Sequence, residues 1–71
     1  MTYVELNAKG WIETENMVFQ KGFLKIIFEE SSKKGKYGWL LIDELNKCFV
    51  CFKDTVTECI QESEKYLQVI N

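Results

Sequence analysis

The sequence predicts an α+β fold: a small antiparallel β-sheet of four to five strands, arranged as a meander, with one C-terminal amphipathic helix packed on one face. Short apolar segments separated by turn signals fill residues 2–52, which is typical of strands. Residues 54–70 instead carry apolar side chains at helical spacing. A helix of this kind buries its apolar stripe most simply against a sheet. The 71 residues are predicted to form a single domain.

The N-terminal region predicts a first strand over residues 2–7, where apolar and polar side chains alternate. Residues 8–10 are a turn signal, and residues 11–12 open a second short segment. Residues 13–16 are too polar for a secondary-structure prediction. The N-terminal half is therefore expected to begin with one clear strand.

Residues 23–30 fit two patterns. Apolar side chains alternate as in a strand, but a helical stripe also fits, with Gly35 as its C-cap. Two adjacent isoleucines and two phenylalanines favour the strand. Residues 31–36 are then a hairpin loop.

The clearest strand is predicted at Tyr37–Asp43, followed by a polar turn and a second strand at residues 48–52. Gly38 lies between two aromatic residues. A glycine in a strand indicates a bulge, a close approach of another backbone, or an aromatic neighbour that covers it.

The C-terminal helix carries a capping signal at its start. Thr55 followed three residues later by Glu58 forms a capping box, and Asp54 is an alternative N-cap. The predicted inner face comprises Val56, Cys59, Ile60, Ser63, Leu67 and Ile70.

The amino-acid composition disfavours nucleic-acid recognition, metal binding and proton transfer near neutral pH. The net charge is −2, and the chain lacks Arg, His and Pro. Without arginine it lacks the side chain best suited to bidentate phosphate or guanine contacts. Without histidine it lacks the commonest metal ligand and the usual proton shuttle near neutral pH.

The three cysteines predict neither a metal site nor redox chemistry. Cys48 and Cys51 form a C-x-x-C pair inside a predicted strand, where positions three apart point to opposite faces. Cys59 is expected in the core as a small apolar residue. An odd cysteine count favours a reducing compartment. With no membrane-span or signal-peptide pattern, we predict the cytoplasm, including that of an infected host.

Two pairs of neighbouring acids were weighed as catalytic groups. Glu29-Glu30 and Asp43-Glu44 lie at strand ends or turns, with no recognisable nucleophile or phosphate loop beside them. Solvated surface is the prediction for both pairs. The chain is therefore predicted not to be an enzyme and to hold no cofactor.

The aromatic residues give the main functional prediction. A single helix covers one face of a sheet, so rings on the other face would form an exposed apolar patch, which is typical of interfaces. We predict that Trp11, Tyr37 and Trp39 anchor a protein partner, with Glu58 and Glu62 adding charge complementarity. A homodimer formed through the sheets fits the same reasoning.

The alternative is nucleic-acid binding through a lysine-rich loop. Lys33, Lys34 and Lys36 flank Gly35, and the rings that follow could stack on bases. Together with this loop, the strand–strand–strand–helix order of residues 23–67 resembles the small three-stranded DNA-binding modules at the N-termini of tyrosine integrases. The resemblance implies that the sheet reads a DNA groove.

Size and acidity are also similar in style to the small host-takeover proteins of phages, including anti-CRISPR inhibitors. The sequence-based prediction is therefore a non-catalytic protein-binding module that inhibits a host enzyme or defence complex.

Overall fold

The computed structural model describes residues 3–30 and 35–70. In chain order the elements are α1 (Tyr3–Ala8), β1 (Ile12–Glu15), β2 (Val18–Lys21), β3 (Leu24–Glu30), β4 (Tyr37–Asp43), β5 (Cys48–Lys53) and α2 (Val56–Ile70). The five strands form one antiparallel sheet in the order β1-β2-β3-β4-β5. Because α2 contacts β3, β4 and β5, the predicted α+β meander with a C-terminal helix is confirmed.

The first predicted strand is wrong. Residues 3–8 form α1, and Thr2 lies outside the described residues. Leu6 is buried whereas Val4 is exposed, as expected when side chains two positions apart diverge around a helix. The Leu6 carbonyl accepts a hydrogen bond from the Trp11 backbone N–H at 2.9 Å, which joins α1 to the residue immediately before β1.

The segment that fitted two patterns is a strand. β3 pairs with β2 on one side and β4 on the other, and Leu24 and Ile26 are buried. Because β3 has a neighbouring strand on each side, its backbone N–H and C=O groups form hydrogen bonds between strands instead of within a helix. The unassigned polar region instead contributes β1, which forms a hairpin with β2 through a turn where Met17 has φ 61°.

The sheet has one covered face and one uncovered face. On the helix side lie alternate residues of the central strands, including Ile26 and Leu41, which are directly paired and fully buried. Ile27 and Leu40 are the next pair along these strands and point the other way. We call the surface around this second pair the open face.

Helix α2 begins at the predicted capping box. The Thr55 hydroxyl oxygen accepts a hydrogen bond from the Glu58 backbone N–H at 3.2 Å, and the two side chains are 3.0 Å apart. Its buried residues Cys59, Ile60 and Ser63 complete the core. The core comprises Leu6, Trp11, Phe19, Leu24, Ile26, Leu41, Cys59 and Ile60.

The tip between β3 and β4 is only partly described. Residues 31–34, which include the predicted site residues Lys33 and Lys34, lie outside the described part of the chain. Gly35, on the described side of the tip, has φ 85°, a backbone conformation that glycine adopts readily. Across residues 3–30 and 35–70, no helix is both long enough and apolar enough to span a membrane.

Candidate functional site

A row of aromatic rings lies on the helix side of the sheet, at the end where residues 31–36 connect β3 to β4. The prediction that Tyr37 and Trp39 lie on the face opposite the helix is therefore wrong, because both alternate in register with buried Leu41. The centroids of Tyr37 and Phe28 are 6.0 Å apart with an angle of 16° between the rings. Phe28 and Trp39 follow at 5.0 Å, and Trp39 and Phe19 at 6.0 Å. We call Phe28, Tyr37 and Trp39 the aromatic row; Phe19 connects it to the core.

Strand register places these rings. Phe28 is paired with Trp39, and Glu30 with Tyr37, so Phe28, Trp39 and Tyr37 share one face. Helix α2 covers this face only from Trp39 onward, where the Cys59 thiol donates to the Trp39 carbonyl at 3.2 Å. The row therefore runs out from beneath the helix: Trp39 is half-buried, Phe28 is 37% exposed and Tyr37 is 57% exposed.

Charged side chains flank the exposed end of the row. Glu29 and Glu30 are exposed at the end of β3, and Lys36 is exposed just before β4. The Glu30 carboxylate accepts a hydrogen bond from the Gly35 backbone N–H at 2.9 Å. Glu30 pairs with Tyr37 and shares its face, whereas Glu29 pairs with Gly38 and points to the other side of the sheet. Tyr37 is thus bordered by one carboxylate in the strand register and by Lys36 in the chain.

The structure does not expose Trp11, and that part of the predicted anchor is wrong. Trp11 is 1% exposed because it belongs to the core cluster that includes Leu6 of α1 and Ile60 of α2. The Lys9–Glu64 ion pair lies near this ring, with 3.3 Å between Nζ and Oε1. A cavity of about 240 Å³ opens beside it, lined by Lys9, Trp11, Lys21, Ile60 and Glu64.

The two predicted acidic contacts lie on α2 and have local partners. Glu58 belongs to the capping box, and Glu62 lies 3.7 Å from the Lys65 ammonium nitrogen. Glu58 precedes Cys59, whose thiol reaches Trp39, so Glu58 is at the same end of the molecule as the aromatic row. Glu62 is one turn further along the helix.

The predicted orientation of the cysteine pair is wrong because β5 contains an inserted residue. Cys51 pairs with Leu41 and Phe49 with Ile42, which leaves Val50 as the extra residue of a bulge. Cys48 and Cys51 consequently both face α2. The Cys48 sulfur lies 3.5 Å from the Tyr66 hydroxyl, and the Cys51 thiol hydrogen-bonds with Cys59.

Burial makes the inner thiols poor nucleophiles. It raises the pKa of Cys51 and raises that of Cys59 to about 12, so both stay protonated at neutral pH. Within the described ranges, 3–30 and 35–70, no cluster of three or more His, Cys, Asp or Glu side chains could hold a metal ion.

Asp43 was expected on the solvated surface, and that prediction is wrong. It is 1% exposed, and its carboxylate accepts hydrogen bonds from the Asn46 backbone N–H at 2.9 Å, the Asn46 amide at 2.7 Å and the Tyr66 hydroxyl at 2.5 Å. Burial alone would raise the pKa of Asp43, but these hydrogen bonds outweigh it and lower the pKa. The hydrogen bond to Asp43 is the main cause that raises the pKa of Tyr66.

The hydrogen-bond network of Asp43, Asn46 and Tyr66 was not predicted, because only Asp43 has a recognisable pattern in the sequence. An aspartate at the end of a strand followed by a polar turn indicates a side chain that bonds to its own turn. The Tyr66 contact joins that turn to the last part of α2, over a separation that no local pattern reveals. The network holds the β4–β5 turn against the helix.

Comparison with known proteins gave no match to this chain among family models, curated proteins or solved structures. The functional argument therefore rests on the geometry of the chain itself.

Proposed function

We propose that this protein is a non-catalytic protein-binding module and that the aromatic row is its contact surface. The observation that carries the proposal is the continuous ring contact from buried Phe19 to exposed Tyr37, at centroid distances of 5.0–6.0 Å. The inner end is fixed in the core while the outer end is accessible. That arrangement supplies a rigid apolar anchor.

Aromatic rings suit this task for two physical reasons. Each offers a large apolar area with few rotatable bonds, so little conformational entropy is lost on binding. Tyrosine and tryptophan are also enriched among the residues that contribute most to protein–protein affinity. In this protein the rings already pack on one another, so part of the ordering cost is met during folding.

The neighbouring charges favour a protein partner over a nucleic acid. Glu30 pairs with Tyr37 on the same face and would repel phosphates, whereas a protein surface with a basic side chain beside an apolar pocket would complement it. Lys36 is the lysine of the predicted nucleic-acid loop that lies within the described residues. Nucleic-acid binding is therefore the competing hypothesis for the experiment below.

The mode of action we propose is occlusion. With principal extents of 34 × 26 × 19 Å, the protein is large enough to cover a functional cleft on a larger enzyme. The finer proposal, carried from size and acidity, is an inhibitor of a host enzyme or defence complex encoded by a phage or mobile element. The cytoplasm of the host cell is its proposed location.

The test measures how tightly a captured partner protein binds to the wild type and to two variants whose substituted side chains are similarly exposed. Immobilised wild-type protein is exposed to lysate from the encoding organism, or from its host if the source is a phage, and the captured protein is then purified. We expect Tyr37→Ala to weaken its binding at least ~10-fold, because a hot-spot truncation costs about 1.4 kcal/mol or more. Phe49→Ala removes an equally exposed ring on the open face and should leave affinity within about threefold.

Two results would overturn the proposal. One is equal loss for Tyr37→Ala and Phe49→Ala, which would move the contact away from the aromatic row. The other is tight, salt-dependent binding of single-stranded DNA or RNA that Lys36→Ala and Tyr37→Ala both weaken, since that behaviour defines a nucleic-acid site. Circular dichroism of each variant checks that the fold is retained.

A further inference from the structure

A second surface, on the opposite side of the molecule, is apolar across the width of the sheet. Val18 pairs with Ile27, Ile27 with Leu40 and Leu40 with Phe52, so these four residues form one row across four strands. They point away from α2, and none of them is fully buried. Beside this row Ile42 pairs with Phe49, which is 63% exposed.

The charges on the open face are arranged symmetrically about its centre. Lys25 and Glu29 lie on β3, each two residues from Ile27, and therefore on the same face as Ile27. Opposite charges thus stand at equal distances on either side of the apolar row. A copy of this face rotated by 180° about an axis along the row would bring Lys25 of one chain over Glu29 of the other.

We infer that the protein forms a symmetric homodimer in which the open faces of two copies pack together. The twofold axis runs along the Val18–Ile27–Leu40–Phe52 row, so each β3 lies antiparallel over its counterpart. Both Lys25–Glu29 pairs form at once, as an isologous interface requires. Lys25 now lies 3.8 Å from Glu44, a long, partly exposed ion pair that contributes little and leaves Lys25 available to its new partner.

The same rotation matches shapes as well as charges. Ile42 of one copy lies over Gly38 of the other, because both residues flank Leu40 on β4. Gly38 has no side chain, and the Phe52 ring of its own chain occupies the adjoining space. Ile42 would therefore meet an aromatic surface, and the two faces would pack like the layers of a β-sandwich.

The size of the face sets the expected strength. Five strands span about 19 Å across, and six residues about 20 Å along the strands, which gives a flat area of roughly 400 Å². A standard stable interface buries about 800 Å² on each partner. Side chains that project from the sheet increase this area, but the buried area remains at the lower end of the range for stable interfaces. We therefore expect a reversible dimer that dissociates at micromolar concentrations.

The experiment is sedimentation velocity of the full chain over a wide concentration range, with charge-reversal variants. Wild-type protein should shift from monomer to dimer. Lys25→Glu and Glu29→Lys should each raise the dissociation constant at least ~10-fold, because each places like charges together twice in the dimer. The double variant carries both changes and should return to within about threefold of wild type.

Controls separate a lost interface from a lost fold. Lys65→Glu makes the same charge change on α2, on the covered side of the sheet, and should leave the dimer intact. Leu40→Thr replaces a leucine at the centre of the open face with a smaller, polar residue that strands accommodate well. It should abolish dimerisation while the circular dichroism spectrum remains that of the folded wild type. A wild-type chain that remains monomeric at every concentration, or charge reversals that the double variant fails to rescue, would overturn the inference without bearing on the aromatic row.

Discussion

Gly38 is the position where one added carbon should perturb this fold most predictably. A Cβ atom built there would lie 2.7 Å from the Lys53 carbonyl oxygen and 2.7 and 2.8 Å from two carbons of the Phe52 ring. Such separations do not occur between packed atoms, so β4 and β5 would have to move apart or the ring would have to turn. The sequence predicted a bulge, a close backbone or a covering ring at this glycine. The register is regular at Gly38, and the close backbone and the covering ring are both present.

The magnitude follows from two opposing effects. Overpacking of this kind costs about 1–3 kcal/mol, and the upper part of that range applies because one of the contacted atoms is backbone. Replacing glycine also lowers the entropy of the unfolded chain, which returns about 0.4–1 kcal/mol. We therefore expect Gly38→Ala to reduce the free energy of unfolding by about 2 kcal/mol, or the Tm by about 8–16 °C in a domain of this size.

Urea denaturation with a double-mutant cycle tests the cause as well as the size. Phe52→Leu removes the two ring carbons that the new Cβ would contact, so adding it to Gly38→Ala should recover at least ~1 kcal/mol relative to the sum of the single changes. Gly22→Ala is the matched control: its φ is 58° but nothing lies within 4 Å, so it should show no coupling to Phe52. Gly38→Ala at wild-type stability, or additive single changes, would refute the reasoning.

Three further outcomes follow from the described contacts. Burial opposes ionisation of Asp43, but its hydrogen bonds lower the pKa below the ordinary 3.8. The ionised carboxylate therefore stabilises the fold above pH 3.8, and this stabilisation is lost as the pH falls through the lower folded-state pKa. Thermal melts of Asp43→Asn should accordingly show a weaker loss of stability in acid than melts of the wild type. Thr55→Ala should cost about 1 kcal/mol in urea denaturation because the Glu58 N–H loses its cap, while Thr55→Ser should retain most of it. Iodoacetamide followed by mass spectrometry should label exposed Cys48 first and Cys59 only on unfolding, since Cys59 is buried with a pKa raised to about 12; equal rates would contradict this.

Much of the fold was predictable where local signals and tertiary packing agree. Strand β4 matches its predicted bounds at both ends, because its apolar and aromatic residues lie between two polar turn segments that mark where it begins and ends. The start of α2 was marked by the capping box of Thr55 and Glu58. The strand prediction for residues 2–7 failed because a segment with two apolar positions, Val4 and Leu6, fits a strand or a short helix equally well. Of these two residues, Leu6 is buried in the core and Val4 is exposed.

The candidate site was less predictable, because exposure depends on what packs from a distance. Tyr37 and Trp39 were predicted on the face opposite the helix but lie on the helix side, where Phe28 completes the aromatic row through a cross-strand pair with Trp39. Trp11 was selected by the same reasoning and is buried in the core with Leu6 and Ile60. The bulge at Val50 reverses the facing of Cys48 relative to Cys51, and no residue type in the sequence announces it.

The positions of the two tryptophans have a practical consequence for spectroscopy. Trp11 is sealed in the core beside α2, whereas Trp39 is half-buried between Phe19 and Phe28. Trp11→Phe would leave Trp39, whose emission reports changes at its ring contacts with Phe19 and Phe28. Trp39→Phe would leave Trp11, whose emission reports changes in the core. The chain thus contains two intrinsic optical probes, through which ligand engagement and folding can be recorded separately without attaching a dye.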